Sequence, residues 1–199
     1  QARGSTTDLH TGVPPQRTAT ATTLGHWLVN RPSTIECRPA QPDDVPAYRS
    51  YVAECGEAGL PLYQVAQFDP DGWLQSLLDH AEGRHLPMGY LPTTTYFALE
   101  EGEILGTLRL RHGDNPATAQ WLGHIGYDTR PSRRGEGVAR TLLRWLQQHV
   151  LTGPVLISCD ETNAASLKII EAANGQWLDR RYHAGDDCWV RCYRLPPLR

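Results

Sequence analysis

Apolar positions change period several times along the chain, and each change marks an element. Val45, Tyr48, Val52 and Cys55 recur at helical spacing, and Pro42-Asp43-Asp44 ahead of them suits a helix start, where acidic residues meet the positive end of the dipole. A strand over 34–38 precedes this helix. A second helix is predicted over 71–81, with Trp73, Leu74, Leu77 and Leu78 on one face, and the Gly/Pro-marked stretch 56–70 reads as loop. The β-rich runs 94–99 and 104–111 form a hairpin around Glu100-Glu101-Gly102, and 121–129 reads as a third long strand. Val138, Leu142, Leu143, Leu146 and Val150 then make the stripe of a helix over 137–150.

The continuously apolar run 154–159 reads as a buried strand. A helix over 163–173 follows, ended by Asn174-Gly175, and strands over 176–182 and 188–195 close the chain around Ala184-Gly185-Asp186-Asp187. The order β α α β β β α β α β β predicts a mixed α/β domain with a mostly antiparallel sheet. Residues 1–33 are rich in Thr, Pro and Gly and lack a sustained period, so a flexible leader is expected there, with the patch at Leu24 to Val29 able to dock on the domain at 34–199.

Composition narrows the function. The 199 residues carry a formal charge of −3, which argues against a general nucleic-acid binder. No apolar run approaches the ~18 residues of a membrane span, and no secretory signal pattern is present, so a cytoplasmic location is expected. The cysteines Cys37, Cys55, Cys159, Cys188 and Cys192 are odd in number and unclustered, which points to reduced thiols rather than a disulfide scaffold or a metal site.

The chemistry concentrates between Gly123 and Arg140: a strand, a Pro-Ser turn, an Arg/Gly loop and a helix start. Gly135 and Gly137 permit close backbone approach, and the amides of Val138, Ala139 and Arg140 would point out of the helix N-terminus, an arrangement that binds phosphate. Arg130, Arg133, Arg134 and Arg140 add positive charge. There is no G-K-[ST], and Arg140 replaces the third glycine of G-x-G-x-x-G, so neither a Walker loop nor a dinucleotide fingerprint is present.

The pattern Arg134-x-x-Gly137-x-Ala139 resembles the coenzyme A pyrophosphate loop, [QR]-x-x-G-x-[GA], of the GNAT superfamily of N-acetyltransferases. Residues 155–160, followed by Asn163, Ser166 and Lys168, resemble that family's next strand and helix, and Arg38-Pro39-Ala40 with Asp43-Asp44 resembles its opening. The run His124-Ile125-Gly126-Tyr127 before Arg130-Pro131-Ser132 is similar to a poorly characterised bacterial branch of predicted acetyltransferases.

The resemblance implies the GNAT fold, an α/β (α+β) domain. Its six- to seven-stranded sheet is flanked by about four helices and contains a splayed central strand pair. It implies acetyl-CoA as cosubstrate, no metal, and direct acetyl transfer in a ternary complex; a primary amine, a small molecule rather than a protein, is the acceptor expected here, although the resemblance names no substrate. The coenzyme contacts it assigns are Ile125, Tyr127 and Thr129 on the strand, Arg134, Gly135, Glu136, Gly137, Val138, Ala139 and Arg140 in the loop, and Asn163 and Ser166 near the pantetheine arm.

The family's tyrosine acid falls on Ile170 here, so His124, Tyr127 and Asp128 are the candidates for acid–base work. Strand alternation puts His124 and Asp128 on one face and Tyr127 on the other. Cys159 reads as core rather than nucleophile. Gly126 reads as a bulge or a close approach. The acidic stretch Glu54, Glu57, Asp69, Asp71, Asp79 and Glu82, and the aromatics Tyr63, Phe68, Trp73 and Tyr90, are candidates for an acceptor pocket suited to a cationic amine. A homodimer, a non-catalytic CoA-binding module and a longer acyl donor stay open at this point.

Overall fold

The computed structural model describes residues 34–198. The expected leader and its 24–29 patch lie outside them. Seven strands form one sheet in the order β1-β2-β3-β4-β5-β7-β6. They are β1 Glu36–Pro39, β2 Thr93–Glu100, β3 Glu103–Arg111, β4 Ile125–Thr129, β5 Val155–Asp160, β6 Gln176–His183 and β7 Cys188–Leu195. Every neighbouring pair is antiparallel except β4 and β5. Among the described residues the α-helices are α1 Val45–Glu57, α2 Pro61–Ala66, α3 Pro70–Ala81, α4 Val138–His149 and α5 Ala164–Ala172.

Helices cover both faces, so the central strands are apolar on both. On β2, alternation sends Tyr96 and Ala98 to one core and Phe97 and Leu99 to the other. The first core is closed by α4 and α5, with Leu142, Leu143, Leu146 and Ile170 all fully buried. Burying each such side chain is worth about 1.5–3 kcal/mol relative to exposure. The second core is closed by α1, α2 and α3 through Tyr48, Tyr51, Val52, Tyr63, Ala66 and Leu74.

Three expectations need correction. The 56–70 stretch contains the helix α2. Pro61 sits in its first turn, where a missing N–H costs nothing, and six residues are too short to show a period. The strand expected over 121–129 is shorter, because residues 118–122 form a single π turn ending at Gly123, whose φ is +68°. His124 therefore precedes β4. Gly126 makes no bulge: β3 and β4 pair one to one from Gly106–Thr129 to Leu110–Ile125.

Candidate active site

The site is built around the one parallel junction in the sheet. β4 and β5 share a single paired position, Ile125 opposite Ile157, and then diverge. His124 pins the junction from below. Its N–H donates to the Leu156 carbonyl at 2.7 Å, and the Leu156 N–H donates to His124 Nδ1 at 3.0 Å. Nδ1 is thus the accepting nitrogen, and Nε2 faces Asp114 Oδ1 at 3.2 Å.

Above the junction, β4 runs into the Arg/Gly loop. Pro131–Arg133 makes one 3₁₀ turn, and α4 begins at Val138. Gly135 and Gly137 have φ of +84° and +82°. A Cβ added at Gly135 would meet no atom within 4 Å, and one at Gly137 would touch only Arg140 Nη2, at 3.9 Å. The glycines therefore serve the backbone path and leave open space beside it. The first amides of α4 have no intrahelical acceptor, and no side chain caps them.

The four arginines divide in two. Arg130 is 3% exposed; it donates through Nε to the Ile104 carbonyl at 2.7 Å and through Nη1 to Glu54 Oε2 at 2.8 Å. Glu54 Oε1 accepts the Ser132 N–H at 2.7 Å. Burial works against the Glu54 charge, but the hydrogen bonds from Ser132 and Arg130 outweigh it and hold its pKa below the usual value. Arg133 is paired with Glu100, Glu103 and Glu136. These two arginines are structural ties, so the expected positive charge comes from Arg134 and Arg140, which are exposed. Among the described residues neither has an ion-pair partner.

A cavity of about 690 Å³ collects Tyr127, Asp128 and Thr129 of β4, the whole 134–140 loop, and Asn163 and Ser166 at the head of α5. All the expected coenzyme contacts line it except Ile125, which is 2% exposed in the core beneath. Leu60, Ala165 and Ile169 complete the wall. Asn163 Oδ1 caps α5 by accepting the Ser166 N–H at 3.0 Å. A second cavity of about 430 Å³ opens beyond the junction between β3, β4, β5 and the β6–β7 hairpin, and the two share Tyr127, Asn163 and Ser166.

Tyr127 is therefore at the seam. Burial raises its pKa to about 12, with Ser166 acting in the opposite direction, so the phenol is protonated at neutral pH. Asp128 points to the other face, as alternation requires. Its Oδ2 accepts from Arg109 Nη2 at 2.8 Å and from the Tyr63 hydroxyl at 3.1 Å. His124 lines neither cavity. Ile170 is fully buried in the first core and brings no acid to the site. Cys159 lines the second cavity, and burial raises its pKa to about 11.

The acidic stretch does not line either cavity. Glu54 ties Arg130, Asp69 caps α3, Asp71 pairs with Arg49, and Asp79 pairs with Arg84. Tyr63 is core, whereas Phe68 and Tyr90 are 86% and 65% exposed. The second cavity instead presents Arg109 and Arg111. Sequence reading passed over both, although charges at i and i+2 on one face of an apolar strand were the available signal. Among the described residues, no group of three or more His, Cys, Asp or Glu is placed to hold a metal, and no helix is long and apolar enough to cross a membrane.

Residues 60–175 match the model of the Acetyltransferase (GNAT) family. No curated protein sequence matches the chain. Solved structures with the same fold include RimL, a ribosomal L7/L12 α-N-protein acetyltransferase in complex with coenzyme A. It is 21% identical, with a TM-score of 0.60 over 82% of this chain and 94% of that one. Mycobacterium smegmatis RimJ in complex with a CoA disulfide is 16% identical, with a TM-score of 0.62 over 82% of each chain. The ribosomal-protein-S5-alanine acetyltransferase of Vibrio fischeri is 16% identical, with a TM-score of 0.61 over 82% of this chain and 93% of that one. With a family model matched over more than half its length, on a mixed sheet opened beside a glycine-rich helix start, this chain belongs to the GNAT acetyltransferase family and is an acyltransferase.

Proposed function

We propose that the chain binds acetyl-CoA in the first cavity and transfers the acetyl group directly to a primary amine held in the second. The observation that carries this reading is the shared seam: two cavities on opposite sides of a parted strand pair meet at Tyr127, Asn163 and Ser166. The loop fits a pyrophosphate. Open space beside Gly135 and Gly137, unpaired helix amides, and the uncommitted guanidinium groups of Arg134 and Arg140 supply donors and positive charge without a carboxylate competitor, since Glu136 is held by Arg133 at 2.7 Å.

Bound acetyl-CoA supplies an activated thioester, whose carbonyl carbon the amine attacks as the C–S bond breaks. An alkylammonium group cannot attack, so one proton must leave first. We assign its exit to solvent water, with Asp128 as the β4 carboxylate beside the path. The protonated Tyr127 hydroxyl is assigned as donor to the departing sulfur, and the second proton of the nitrogen, lost as the C–N bond forms, returns to Tyr127 through water. His124, with Nδ1 committed to Leu156, is assigned the task of holding the junction rather than that of base. Cys159 is protonated at neutral pH, in keeping with transfer that needs no covalent enzyme intermediate. We assign catalysis to the domain at 34–199 and propose residues 1–33 as a leader. The volume of the second cavity, about 430 Å³, suits a small-molecule amine. The ribosomal-protein substrates named for the structural neighbours favour a protein amino terminus as the second reading.

A thermal-shift titration of the full chain with CoA and acetyl-CoA tests the reading. Saturating ligand at about 100 times Kd adds about 2.7 kcal/mol of apparent stability. A saturable rise in melting temperature, followed by acceptor-dependent thiol release, is expected; no rise up to millimolar ligand refutes the proposal.

A further inference from the structure

The floor of the second cavity is cationic, and only half of that charge is neutralised. Arg109 and Arg111 alternate on β3 toward the same face, and both reach over Gly126. A Cβ built at Gly126 would lie 3.5 Å from Arg109 Nη2 and 3.7 Å from Arg111 Nη2. Arg109 is paired with Asp128. Arg111 has no carboxylate within ion-pair distance among the described residues. The polar contact it makes is a long one, 3.4 Å from Nη1 to the Gly123 carbonyl. Burial and the neighbouring Arg109 charge lower its pKa to about 10, which still leaves it cationic at neutral pH.

A half-buried guanidinium without a counter-ion is costly, and a fold tolerates it where a ligand completes the pair. The carboxylates that share the cavity do not serve it: Asp160 accepts from Thr162, and Asp186 faces His183. The planar fork of an arginine matches a carboxylate or phosphate with two parallel hydrogen bonds. Gly126 lies beside Tyr127 at the seam, so an anion on Arg111 would place its own molecule next to the acyl group.

We propose that Arg111 is the specificity residue of the acceptor site and that the acceptor is a small amine bearing an anionic group, a carboxylate or a phosphate. This deepens the acetyl-transfer reading and rests on it. The absence of lysine or arginine from residues 50–83, which suggested a cationic acceptor, concerns side chains that face elsewhere.

The test measures thiol release from acetyl-CoA by the full chain with amino acids, their carboxamides and 2-aminoethyl phosphate. The wild type is expected to favour an anionic amine over its neutral partner by roughly tenfold or more in kcat/KM, about the effect of one charge-assisted contact. Arg111→Gln should abolish that ratio through KM, while Arg111→Lys should retain part of it. The carboxylate and phosphate arms identify which anion is bound. Equal use of neutral and anionic amines by the wild type, or a ratio that survives in Arg111→Gln, overturns the proposal, as does failure to acetylate any anionic amine. Should Arg111→Gln not fold, the wild-type ratio and Arg111→Lys decide alone. A parallel CoA thermal shift separates the two levels: a shift with no anion preference sinks this inference only, and no shift sinks the acetyl-transfer reading and this inference with it.

Discussion

Replacing Glu54 with Gln isolates the charge in the tie that fixes the coenzyme loop to α1. The amide oxygen of Gln can still accept the Ser132 N–H, so the change falls on Arg130, which is 3% exposed and loses its 2.8 Å partner. Stranding a fully buried charge costs about 3–5 kcal/mol. Two features reduce the cost here: the Glu54 side chain is 30% exposed, and Glu103 Oε1 stays 3.5 Å from Arg130. A loss of about 2 kcal/mol follows, or roughly 4–8 °C in melting temperature for a domain of this size. The pH dependence carries the sign of a carboxylate whose folded pKa lies below its ordinary 4.5. Its stabilisation is fully present above the unfolded pKa and is lost as pH falls through the folded one. Urea unfolding of wild type and Glu54→Gln at pH 7 and between pH 5 and 3 should therefore show a gap that closes on acidification. A gap under about 0.5 kcal/mol at pH 7, or one unchanged by acid, refutes the reasoning.

Arg134→Glu and Arg140→Glu should each weaken CoA binding by roughly tenfold at low salt, less at high salt, because each removes a charge-assisted contact. Calorimetric titration checks this, and the unliganded melting temperature should stay within about 2 °C, since both are exposed surface positions. Cys159→Ala should keep turnover within about threefold with no pre-steady-state burst; a burst in the wild type that the variant lacks would point to an acyl-enzyme instead. His124→Gln should lower stability while leaving the shape of the kcat/KM profile between pH 6 and 8 unchanged. Disappearance of an ionisation near neutrality in that variant would restore His124 as the base.

The parts legible in the sequence are those whose cause is local. The β2–β3 hairpin declared itself through two β-rich runs around Glu100-Glu101-Gly102, and α4 through its apolar stripe. The loop path from β4 into α4 was legible because it rests on backbone freedom at Gly135 and Gly137, and glycine is visible in a sequence. Partnership across long separations was not visible. Glu54 and Arg130 are 76 positions apart, so nothing near Arg130 distinguishes a buried tie from a phosphate contact. The tie of His124 Nδ1 to an amide 32 residues away is likewise announced by nothing in the residues around it. Arg111 was hidden for the opposite reason, since what sets it apart is that no carboxylate pairs with it among the described residues.

The single rung between β4 and β5 has a mechanical consequence. The outer pairings of the sheet run over several residues, but backbone hydrogen bonding hardly joins its two halves. What joins them is α4, whose Leu142, Leu143 and Leu146 rest in one core with Leu108 and Leu110 from one half and Ile157, Tyr193 and Leu195 from the other. The helix works as a clasp across the junction, and its first turn is also where the Arg/Gly loop ends. The width of the cleft is thus set by packing that no ligand touches. Leu146→Ala, at about 2–5 kcal/mol, would slacken the clasp and lower CoA affinity from outside the site. In reverse, a ligand gripping both lips of the opening would stiffen the interior behind it, so drift in ordinary core residues is constrained by catalysis as well as by folding.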